Sequence, residues 1–138
     1  AATMSRIIQV GERASRSLTL TEEHVRKYSE ISGDYNPLHY DQAFAAGTRF
    51  GRLVVQGGLT TGLLHALVAT DLPGPGSVFL EVNWRFLAPV RPGDEITAEV
   101  EVLEAREDKP ITKLRTTIRN ANGVTVLDGH AVVWTERL

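Results

Sequence analysis

Residues 57–70 read Gly-Gly-Leu-Thr-Thr-Gly-Leu-Leu-His-Ala-Leu-Val-Ala-Thr, fourteen positions without an acid, a lysine or an arginine. Leu59, Leu63, Leu64, Ala66, Leu67 and Val68 would cover most of the circumference of a helix. Such a helix has no face to offer water and must be buried by something wrapped around it. Gly57, Gly58 and Gly62 weaken its helix propensity, so close approach of another backbone or side chain explains them better than stability does. The wrapper follows in the sequence. Val78, Leu80, Val82, Trp84 and Phe86 alternate with Phe79, Glu81, Asn83 and Arg85, and Ile96, Ala98, Val100 and Val102 alternate with Thr97, Glu99 and Glu101. Leu114, Thr116 and Ile118 alternate with charged or hydroxyl residues, and Val124 to Trp134 returns as a last strand. Period-two segments with one polar face predict an antiparallel sheet, wet on one side, curled around the apolar helix. The fold class is therefore α+β, in a single domain spanning residues 1–138.

The first half of the chain is helical punctuation. Residues 15–20 read as a short strand. Thr21 is a helix N-cap with Glu22 and Glu23 in the favourable first turn. That helix should reach Ile31 and stop near Gly33, with Val25, Tyr28 and Ile31 on one face. Asp41 to Ala46 reads as a short helix closed by Gly47, and residues 72–76 (Leu-Pro-Gly-Pro-Gly) as the loop before the strands. Asn122-Gly123 predicts a type I′ hairpin. Ala1-Ala2-Thr3 ahead of Met4 read as a cloning remnant. Net charge is −2, with 42% hydrophobic and 23% charged residues, which argues against a nucleic-acid or bulk-membrane partner. The absence of cysteine removes thiol chemistry and suits a reducing cytoplasm, the expected location. No apolar run approaches the ~20 residues of a membrane helix, and the N-terminus lacks a signal-peptide core.

Chemistry concentrates in Ser32-Gly33-Asp34-Tyr35-Asn36-Pro37-Leu38-His39. A carboxylate, an amide and an imidazole stand within six residues, on a bend that Gly33 permits and Pro37 stiffens. Three polar groups with different proton chemistry, held on one stiff turn, can position a water and move its protons. Further on, Gln56-Gly57-Gly58-Leu59 opens the apolar helix, where free N–H groups gather. A plain turn, with Asp34 as its former and Asn36-Pro37 as an Asx-type bend, remains the blander reading of the same residues.

These segments, together with Phe50-Gly51, Val55-Gln56-Gly57-Gly58-Leu59 and the run Arg85 to Asp94, resemble the MaoC-like, (R)-specific enoyl-CoA hydratases of the hot-dog superfamily. The resemblance covers nearly the whole chain. It implies a long helix wrapped by an antiparallel sheet, and a homodimer whose sheets join edge to edge, in some members paired again. It implies reversible hydration of trans-2-enoyl-CoA, with Asp34 and His39 as the catalytic acid–base pair. Asn36 would orient the water, and the Gly57 N–H would polarise the thioester carbonyl. The CoA thioester is then the substrate, and no cofactor or metal is implied. Two positions depart from the family pattern. Gln56 stands where the family has histidine, keeping a donor and an acceptor but no charge; it is placed with the substrate-binding residues. Gly58 stands where a larger apolar residue is common, which predicts a roomier pocket.

Two other functions fit the same fold: an acyl-CoA thioesterase, or a non-catalytic acyl-thioester-binding subunit. Acyl-carrier-protein thioesters are an alternative to CoA. His39 and Asp41 could be read as a metal pair, but no third ligand stands at a suitable spacing. His24 is expected on a solvated helix face, and His65 and His130 in structural roles. Arg85 and Arg91 read as solvated strand-edge cations that a CoA phosphate could meet. Trp84 and Trp134 read as core or interface aromatics.

Overall fold

A computed structural model of the protein describes residues 7–136, so the remnant expected at residues 1–3 lies outside the described residues. The chain forms β1 (Arg13–Thr19), α1 (Glu22–Ser32), a single 3₁₀ turn (Pro37–His39), α2 (Gln42–Ala46) and α3 (Gly57–Thr70). Four strands follow: β2 (Ser77–Phe86), β3 (Glu95–Ala105), β4 (Ile111–Asn120) and β5 (Thr125–Thr135). The described residues build one five-stranded sheet in the order β1-β3-β4-β5-β2, every pairing antiparallel. The expected helix-in-sheet architecture is present. No helix among the described residues is long and apolar enough to cross a membrane.

The core is the interface between α3 and the concave face of the sheet. Leu63, Leu64, Leu67 and Val68 of α3 meet Ile96, Ala98, Val100 and Val102 of β3, Leu114 and Ile118 of β4, and Leu127 and Val133 of β5. Burying each of the larger side chains contributes about 1.5–3 kcal/mol. The helix is not buried all round. Gly58, Gly62, His65 and Ala69 form one exposed stripe at helical spacing.

Three expectations need correcting, and a fourth is met with an addition. In α1, the buried positions are Val25 and Ser29, whereas Ile31 is 87% exposed. Ile31 lies six residues beyond Val25, well around the helix from the buried stripe, and three apolar residues were too few to fix the face. His24 lies on the partly exposed side of α1, as expected, and also caps it: its Nδ1 accepts from the Thr21 N–H at 3.1 Å while Thr21 Oγ1 accepts from the His24 N–H at 3.2 Å. This is a capping box with histidine in the usual Glu/Gln position. In β2 a register shift between Phe79 and Glu81 breaks the alternation. Phe79 and Trp84 both turn toward the core, while Val78, Leu80, Val82 and Phe86 are exposed. A bulge flips side-chain parity, so a strict period-two reading fails beyond it. Finally, the β4–β5 hairpin exists but its turn is not type I′. Positive φ occurs among the described residues only at glycines, so Asn122 lacks the left-handed backbone that turn needs. The connection instead spans Ala121 to Gly123, with Gly123 at φ 79° and the Asn120 carboxamide oxygen accepting from the Asn122 and Val124 N–H groups.

Candidate active site

The sequence builds a rigid bend between α1 and α2. Gly33 ends α1 at φ 78°, a conformation that glycine adopts without penalty, and its N–H bonds the Ser29 carbonyl at 2.8 Å. Asp34 then accepts from the Asn36 N–H at 3.2 Å through Oδ1. Asn36 accepts from the Leu38 N–H at 3.1 Å through its own side-chain oxygen, capping the 3₁₀ turn that Pro37 starts. Asp41 Oδ1 caps α2 by accepting from the Phe44 N–H at 3.0 Å. The Asx-type bonds expected of a plain turn are thus real, but they leave Asp34 Oδ2 and the Asn36 NH₂ group available.

His39 is the buried partner. Its side chain is 8% exposed, against 42% for Asp34, and its Nε2 lies 3.5 Å from Asp34 Oδ2. Its Nδ1 lies 2.7 Å from the Val54 carbonyl oxygen. A carbonyl can only accept, so in the neutral ring Nδ1 carries the hydrogen and Nε2 presents its lone pair toward Asp34. Two acceptors facing each other at this distance call for a proton donor shared between them. A cavity of about 470 Å³ has His39 among its lining residues, with Val25, Arg26, Tyr40, Leu53 and Pro92, but neither Asp34, Asn36 nor Gly57 lines it.

The same bend is tied to the start of α3. His39 holds Val54 through its ring, and the Val54 N–H bonds the Leu38 carbonyl at 3.1 Å. Two residues later Gln56 caps α3 with its backbone. The Gly57 and Gly58 N–H groups open that helix on an exposed surface, and neither bonds a backbone carbonyl among the described residues. Helix N-termini gather partial positive charge as well as free donors, so this is a ready acceptor site for an oxyanion.

Gln56 differs from expectation in where its side chain points. It is 1% exposed, and its Nε2 donates to the Val25 carbonyl and to Ser29 Oγ, both at 2.9 Å. Buried against α1, it cannot reach a molecule in the cleft from this position. The expected extra room at Gly58 is also absent. A Cβ there would overlap the Tyr28 hydroxyl and stand 2.6 Å from Tyr28 Cζ, so the tyrosine fills the space. Gly58→Ala should therefore cost about 1–3 kcal/mol by overpacking. In a Tyr28→Ala background the same change should be neutral or should stabilise by about 0.5–1 kcal/mol, the usual gain of replacing a helical glycine. Urea unfolding of the four proteins checks this; equal costs in both backgrounds would rule out the overlap as cause.

Arg91 is a residue whose role the sequence did not reveal. Its guanidinium donates to the carbonyls of Phe50 at 2.7 Å, Arg52 at 2.9 Å and Leu53 at 3.3 Å, pinning the loop that leads into α3. Burial pushes its pKa down, with the nearby Arg52 charge acting the same way. His65, open to solvent on one side, packs edge-on against Phe79 and Trp84, with centroids 4.7 and 5.9 Å away, and this partial burial lowers its pKa. His130 is exposed on β5, as is Arg85 on β2.

Comparison with known proteins agrees with this fold. Residues 5–123 match the family described as MaoC like domain. The chain is 44% identical to an (R)-specific enoyl-CoA hydratase from Aeromonas caviae over 91% of its own length and 94% of the relative's. It is 38% identical to a 3-hydroxybutyryl-CoA dehydratase from Methylorubrum extorquens over 91% of its length and 80% of the relative's. Among solved structures, an (R)-hydratase from A. caviae superposes with a TM-score of 0.88 at 43% identity, covering 94% of this chain and 98% of that one.

Proposed function

The chain belongs to the MaoC-like domain family, and from that premise we propose that it hydrates trans-2-enoyl-CoA reversibly to (R)-3-hydroxyacyl-CoA. The observation that carries the assignment of residues is the facing of His39 Nε2 and Asp34 Oδ2 at 3.5 Å, on a bend bonded to the residues that open α3. A water donating one hydrogen to each acceptor would be held and oriented there. As its oxygen attacks C3, one proton passes to the pair, and a proton from the pair reaches C2. The sum is addition of one water across the double bond. The Asn36 NH₂ group, its oxygen being engaged by Leu38, would donate to the water oxygen and aim the lone pair used in attack. Charge developing on the thioester oxygen would be met by the Gly57 N–H at the positive end of α3. Gln56 contributes indirectly, through α1. The chemistry adds water across a double bond with no net redox change and asks for no cofactor.

The site of one chain is open: Asp34 and Gly57 both face solvent, and acid–base work of this kind gains from excluding water. The exposed stripe of α3 adjoins β2, an edge strand carrying exposed Val78, Leu80, Val82 and Phe86. An unpaired apolar edge strand is a surface for strand pairing. A homodimer joined through β2 would cover both features and wall the site; pairing of such dimers is left open. The lack of cysteine fits a cytoplasmic setting.

Incubation with crotonyl-CoA should remove the enoyl absorbance without releasing thiol, and the product should be oxidised by an (R)-specific and not an (S)-specific 3-hydroxyacyl-CoA dehydrogenase. Thiol release would indicate a thioesterase, and tight binding without turnover a non-catalytic subunit. Faster turnover of the crotonyl-acyl-carrier-protein thioester would move the substrate to that carrier.

A further inference from the structure

Ser29 sits on α1 outside the catalytic bend and is 0% exposed, yet its hydroxyl touches several parts of the site. It donates to the Asp34 carbonyl oxygen at 2.7 Å. The Gln56 NH₂ group donates to it at 2.9 Å, and the Tyr40 hydroxyl bonds it from the far side of the bend. A serine hydroxyl has one hydrogen and two lone pairs. The Gln56 donation is unambiguous, because the other partner of that Nε2 is the Val25 carbonyl, which can only accept. The Asp34 carbonyl can only accept, so the single hydrogen is directed there, and the Tyr40 hydroxyl, which also lies 3.3 Å from the Val25 carbonyl, shares its one hydrogen between that carbonyl and Ser29 Oγ. The hydroxyl is thereby held in one orientation, at a fully buried position where hydrogen bonds hold geometry tightly.

We propose, on the basis of the hydratase reading above, that Ser29 is a positioning residue for Asp34. Its hydroxyl fixes the backbone from which the carboxylate projects toward His39, and Gln56 fixes the hydroxyl. The role explains why a small polar residue occupies a fully buried helix position where an apolar one would be expected. It also gives the buried Gln56 amide a function that does not require contact with substrate. The effect on the reaction is indirect: without the anchor the Asp34 carboxylate drifts from its place opposite His39 Nε2, and displacements of about 1 Å cost up to 10²-fold in rate.

The test is a double-mutant cycle on crotonyl-CoA hydration, with Ser29→Ala, Asp34→Asn and the double variant. Ser29→Ala should lower kcat on the order of 10-fold while KM moves by less than about twofold. In the Asp34→Asn background the same substitution should cost less than about twofold, because the group it positions is no longer a carboxylate. Equal costs in both backgrounds, or no cost in the first, would overturn the inference and reduce Ser29 to a packing residue. A wild-type chain inactive on crotonyl-CoA would instead overturn the hydratase reading and take this inference with it. Should Ser29→Ala fail to fold, Ser29→Cys, close in volume and a poor donor, is read in the same cycle with the same outcomes.

Discussion

Asp34→Asn should lower kcat for crotonyl-CoA hydration by about 10²–10⁴-fold with little change in thermal stability. The substitution is nearly isosteric, and its carboxamide oxygen can still accept from the Asn36 N–H, the bond that now shapes the bend. What changes is the side facing His39. An NH₂ group there would donate to Nε2, occupying the lone pair that the Nδ1–H···O=C bond to Val54 leaves free. The variant thus loses a carboxylate and also disables its partner, while the fold keeps its contacts. Near-wild-type turnover by a folded Asp34→Asn protein would remove Asp34 from the chemistry. Asp34→Ala is the useful contrast, since it also abandons Asn36 and should be the less stable of the two by about 1 kcal/mol, the usual net value of one such bond.

The bend and α3 were legible in the sequence for different reasons. A charge-free segment of fourteen residues admits few fates besides burial, and the inward residues of β3, at Ile96, Ala98, Val100 and Val102, obey their period without interruption. The Asp-x-Asn-Pro-x-His bend is local, so its Asx bonds follow from residue types within two or three positions. Long-range contacts were not legible. Gln56 meets Val25 and Ser29, 31 and 27 residues earlier, and Arg91 reaches back 38–41 residues to three carbonyls. Nothing in either residue's neighbourhood announces such a partner. Gly58 misled for the same reason: a missing side chain signals room only if nothing distant moves in, and here Tyr28 does. The bulge in β2 is a backbone choice of the folded sheet, without glycine or proline at Phe79–Glu81 to mark it.

His39 poses the second large effect, and two substitutions separate what the ring does. It has a structural bond, Nδ1–H to the Val54 carbonyl at 2.7 Å, and a chemical face, Nε2 toward Asp34. His39→Ala removes both and leaves a hole at a buried position, so it should lose about 10²-fold or more in kcat and also about 1–3 kcal/mol of stability as the Val54 carbonyl goes unbonded. His39→Asn can place its NH₂ where Nδ1 was and keep the Val54 bond, yet offers nothing at the Nε2 position. It should recover most of the stability and none of the turnover. If His39→Asn instead hydrated crotonyl-CoA at a rate near wild type, the histidine would be a strut for the segment entering α3. The proton chemistry would then have to rest on Asp34 alone. If both variants are inactive and only Ala is unstable, the imidazole is the base, because stability and rate will have been moved independently by the two nitrogens of one ring.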